Sequence, residues 1–141
     1  MRDTKYENGF SLIEVLIAVT LVGLAIVSLV AANGSFTKVN GAAADLSTAE
    51  FLIEQIRERV VLIGFNDLDA LDGQSFSPPI SADGEILNNF AAWSQQVDIE
   101  RISEANFELP GAPDSSFIRI TVKVFLNFKE ISSAAWIRAG Y

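Results

Sequence analysis

The 141 residues include no cysteine and no histidine. Without cysteine there is no disulfide and no thiolate metal site, and cysteine usage says nothing about the redox compartment. Without histidine the commonest general base and the commonest metal ligand are both missing. Positive charge is also scarce: ten Lys and Arg stand against eighteen Asp and Glu, for a net charge of −8. Those cations are scattered, with no basic run and no interleaving with aromatics. That argues against direct nucleic-acid binding, which needs clustered cations to neutralise phosphates. No Ser–His, Cys–His or phosphate-loop arrangement occurs, and nothing brings two of the many carboxylates together. The expectation is a protein that is not an enzyme.

Half of the residues are apolar, and they are unevenly spread. Residues 10–32, FSLIEVLIAVTLVGLAIVSLVAA, contain a single charge, Glu14, and no proline. As a helix this run is about 35 Å long, enough for a bilayer core of about 30 Å. The preceding residues 1–9 are short and polar. Beyond the run, Phe36, Val39, Ala42, Leu46, Ala49, Ile53, Ile56, Val60 and Ile63 recur at spacings of three and four. That predicts an amphipathic continuation of the helix over 33–63, with one stripe that needs something to pack on. Glu54 and Arg57, three apart, are placed to form a weak surface pair.

Residues 64–92 are rich in Gly, Asp, Asn and Pro and read as a surface connection, with one short helical turn near 87–92. Strands follow at 93–102, 116–128 and 131–138. The middle one alternates strictly, with Ile118, Ile120, Val122, Val124, Leu126 and Phe128 on one face. Trp93 and Trp136 are expected to bury against the sheet or the helix. The fold class is α+β: a long N-terminal helix, half membrane-type and half amphipathic, packed on a small antiparallel sheet. The residues after the apolar run suffice for one modest core.

A carboxylate in an apolar helix costs on the order of 2–3 kcal/mol unless it lies near an interface or has a partner. Two plainer readings of the N-terminus leave Glu14 unexplained. One is a simple single-span anchor. The other is a secretory signal peptide, with Arg2 and Lys5 as its charged region and Val30-Ala31-Ala32 as its cleavage site; its apolar core would be longer than the usual 7–15 residues or so. Cleavage between Gly9 and Phe10 would instead create an α-amine at Phe10, one helical turn from Glu14. An amine and a carboxylate one turn apart, or on neighbouring helices, neutralise each other in low dielectric. Such a pair would set the register between packed helices.

GFSLIEVLIAV resembles the type IV prepilin signature: a polar leader ending in Gly9, then Phe10, then an apolar run with Glu14 at the fifth mature position. The resemblance covers residues 7 to 32. It implies cleavage after Gly9 by an inner-membrane prepilin peptidase and N-methylation of Phe10. It also implies a subunit that waits in membrane lipid, its globular part in the periplasm. An inner-membrane assembly platform then moves it into a helical filament with other pilin or pseudopilin subunits, where Glu14 docks against a Phe10 amine. On this reading residues 1–9 are the removed leader, 10–32 the transmembrane and filament-core helix, 33–63 its amphipathic half, and 64–141 the globular part.

Two features depart from many major pilins. Ala31 stands where they have proline, and there is no C-terminal cysteine pair. Both point to a minor pilin or a type II secretion pseudopilin. The alternative function is a membrane-anchored or signal-peptide-bearing periplasmic domain that binds a ligand or hydrolyses a substrate. No cofactor is expected. Asp67, Asp69 and Asp72 in NDLDALDG form a weak Ca²⁺ candidate, since turn carboxylates bind calcium, but their spacing misses the EF-hand pattern by one residue. A solvated acidic loop is the plainer reading.

Overall fold

The computed structural model describes residues 10–140. One helix, α1, runs Leu12–Leu62, and four strands follow: β1 Gln74–Phe76, β2 Trp93–Arg101, β3 Phe117–Leu126 and β4 Lys129–Ala139. The described residues fall into two compact units that divide after Ala42.

In the first unit the apolar side chains from Phe10 to Val30 are exposed. The window long and apolar enough to cross a membrane lies here, and none of it is buried. Its hydroxyls are satisfied within the helix. Thr20 Oγ1 donates to the Leu16 carbonyl at 2.8 Å and Ser28 Oγ to that of Leu24 at 2.8 Å. Such back-bonding lets polar side chains sit in an apolar helix without unpaired groups.

In the second unit the strands pair antiparallel in the order β1-β2-β3-β4. Ile118, Ile120, Val122 and Val124 on β3 are completely buried and form one core with Ala49, Leu52, Ile53, Ile56 and Val60 of α1. These residue types suit that arrangement: β-branched side chains pack on a pleated surface, and the helix supplies one apolar stripe. The opposite face carries cross-strand ion pairs, Arg119–Glu100 at 3.0 Å and Lys123–Asp98 at 3.1 Å. The C-terminus of α1 is closed by Arg138, which donates to the carbonyls of Val60 and Ile63. A cation there meets the negative end of the helix.

Gln95 is fully buried on the core side of β2, beside Trp93 and Val97. Its Nε2 donates to Leu52 O at 2.8 Å and Ile80 O at 3.3 Å, and its Oε1 accepts from Ile80 N at 2.9 Å. One amide thereby ties α1, β2 and the loop before β2 together.

Several expectations need correction. The helical stripe is buried only from Ala49 on; Phe36, Val39 and Leu46 are exposed. The connection at 64–92 holds a 3-10 helix, Phe65–Leu71, and strand β1, which is too short for an alternation signal. The helical turn near 87–92 is a 3-10 turn at Asn88–Phe90. As expected, Trp93 is buried, and Trp136 on β4 is partly buried against the core, with the Arg57 guanidinium 4.9 Å from its ring centroid. Arg57 also pairs with Glu54 at 3.0 Å, as the spacing predicts. Phe128 leaves the strand altogether. With Asn127 it makes a two-residue turn between β3 and β4, at φ 67° and 49°, and its side chain is fully exposed.

Candidate functional site

The N-terminal site begins where the described chain begins. Gly9 and the rest of 1–9, the expected leader and cleavage position, lie outside the described residues. Phe10 is 83% exposed and precedes the first turn of α1. The Ser11 carbonyl starts the helix, accepting from Glu14 N at 3.0 Å and Val15 N at 3.2 Å. Glu14 therefore sits in the first turn, where the unpaired N–H groups and the macrodipole favour an anion. Its side chain is exposed, and among the described residues no cation lies within ion-pair distance. An exposed apolar run this long marks a surface that another phase or molecule covers. A carboxylate near its start is available to a cation brought from outside the helix.

The acidic run at 66–73 does not gather into a ligand set. Asp69 Oδ2 pairs with Arg101 at 2.6 Å, while Asp72 Oδ1 accepts the Ile99 backbone N–H at 2.8 Å. Asp67 opens the 3-10 helix, its N–H donating to Gly64 O at 3.0 Å. Among the described residues no three acidic, histidine or cysteine side chains stand together as a metal group. Two of the three carboxylates instead pin the 3-10 helix and the residue after it to β2, a role that spacing alone does not reveal.

In sequence Phe128 reads as a buried-face residue because its apolar character continues the alternation of β3. The available signal was Asn127, which favours positive φ and turns.

Compared with known families, residues 4–32 match the prokaryotic N-terminal methylation motif. No curated protein and no solved structure matches the chain. The motif spans Phe10, Glu14 and the exposed apolar run; the sheet lies outside it.

Proposed function

From a chain that carries the type IV prepilin signature at its N-terminus, we propose a structural subunit of a filament, either a minor pilin of a type IV pilus or a pseudopilin of a type II secretion system. The observation that carries the reading is the coincidence of that motif with a helix whose apolar side chains are all exposed from residue 12 to 30, a stretch whose only charge, Glu14, lies in the first turn. Prepilin peptidase removes residues 1–9 after Gly9, and the new amine on Phe10 is methylated. The subunit is held by lipid through 10–32, its globular part in the periplasm, until an inner-membrane platform passes it to the growing filament.

In the filament, neighbouring subunits replace lipid around the apolar helix. Glu14 then meets the Phe10 amine of an adjacent subunit. Charges that pair in a low-dielectric bundle fix one axial register, because a slipped helix would leave both unpaired. The absence of proline at Ala31 agrees with the minor-subunit reading.

Mass spectrometry of the mature N-terminus in a host with the matching peptidase tests this. The expected result is a chain that starts at N-methyl-Phe10. A start at Asn33 would identify a signal peptide, and an intact residue 1 a plain anchor; either would sink the proposal.

A further inference from the structure

We infer that the β3–β4 turn is a lipid-contacting tip, and that Phe128 inserts into the membrane surface while the chain is membrane-anchored; the inference rests on that stage of the proposed function. Three observations converge on it. First, Phe128 is fully exposed at φ 67°, a left-handed conformation that a bulky residue adopts with strain and that glycine or asparagine would adopt freely. The fold gains nothing from an aromatic there, and a strained exposed residue points to a contact outside the fold.

Second, the turn lies at the end of its unit where the chain comes in from the apolar run. Asn127 N donates to Ala92 O at 2.9 Å, next to Phe90, whose ring centroid is 5.9 Å from that of Phe51 on α1. Ser132, just past the turn, donates to Glu50 Oε1 at 2.7 Å. The turn, Phe90, Glu50 and Phe51 thus share the end at which α1 enters the unit. Residues 33–42 connect Ala32, the last residue of the apolar run, to this end. Their reach is about 15 Å as helix and at most about 35 Å fully extended. With 10–32 in a bilayer, the tether holds this end within about 35 Å of the end of the apolar run, whatever the angle between the two units.

Third, charge selects the lipid. The first 42 residues carry three acidic and three basic side chains, so the whole net charge of −8 belongs to the second unit. Attraction to anionic headgroups cannot drive this contact, whereas burial of an aromatic at a neutral interface can.

The chain has no cysteine, so a single Lys129→Cys substitution takes a polarity-sensitive fluorophore beside the tip. The full chain is reconstituted at high dilution in phosphatidylcholine vesicles and recovered by flotation. The expected result is a blue-shifted emission that spin-labelled lipid quenches. Both effects should be lost when Phe128→Gly is added, and both retained with Phe128→Trp. A label at Asp83→Cys, beside Glu58 and Leu62 near the other end of the buried helix segment, should stay unquenched. Thermal melting of the Phe128→Gly chain, expected at or above the parent's temperature, separates loss of contact from loss of fold. Flotation with an unquenched Lys129→Cys label overturns this inference alone. So does a blue shift that disappears on further dilution in lipid, which would identify a second copy as the occupant. Failure to float overturns the anchored stage and the inference with it.

Discussion

Glu14 and Gln95 are polar residues in apolar settings, and each is accounted for by a different partner. Glu14 stands in the first turn of an exposed apolar helix, where the helix dipole favours it and where, in the proposed filament, its ion-pair partner comes from another molecule. Replacing it with Leu should leave cleavage after Gly9 intact, since the scissile bond lies a full turn upstream, yet reduce incorporation into filaments. Quantifying mature subunit in sheared filaments against the membrane pool checks this; normal incorporation would remove the pairing argument. Gln95 finds its partners within the fold. Gln95→Leu keeps the volume but leaves the Ile80 N–H buried and unpaired. The expected loss is about 1–3 kcal/mol of stability, read by denaturant unfolding.

The helix α1 does two jobs along its length because its side-chain pattern changes. Up to Val30 it is apolar on every side apart from Glu14, Thr20 and Ser28, a composition that suits a lipid-facing or bundle-core helix; from Ala49 only one stripe is buried, against β3. Ile56 lies in the middle of that stripe and is almost wholly buried. Ile56→Ala should cost about 2–5 kcal/mol, through lost burial and the cavity left behind. The same change at Ile26, fully outside the core, should leave thermal unfolding of the second unit unchanged. Calorimetry on both variants in detergent distinguishes them. On the sheet side, β3 is paired on both edges and buried on its helix-facing side.

For the molecule as a whole, every member of the hydrophobic core lies at or beyond Ala49, within the unit that begins at Ala43. A chain starting at Ala43 should therefore fold without detergent and melt cooperatively near the temperature of the second unit in the full chain. Scanning calorimetry of the two, with circular dichroism for the sheet, provides the check; an unfolded or aggregated fragment would show that the first unit contributes to the core. Assembly function should be lost with the apolar run even though the fold is kept, because in the proposed filament the subunits join through that run.

The sequence by itself determined whatever rests on local periodicity and local chemistry. The apolar run with one carboxylate, the Gly9–Phe10 junction, the helical stripe around Ile53 and Ile56, and the strict alternation of β3 are all visible without tertiary contacts, because each is a pattern within one element. Only the tertiary structure decided which part of the stripe is covered, since burial starts where β3 lies opposite and leaves Phe36, Val39 and Leu46 exposed. It also decided that β1 exists, because three residues become a strand only when β2 supplies their hydrogen bonds. Asp69 and Asp72 were assigned to Arg101 and Ile99 by residues about thirty positions away. Phe128 was moved from the buried face to the exposed tip by the hairpin turn, where two residues at positive φ reverse the chain and end the alternation.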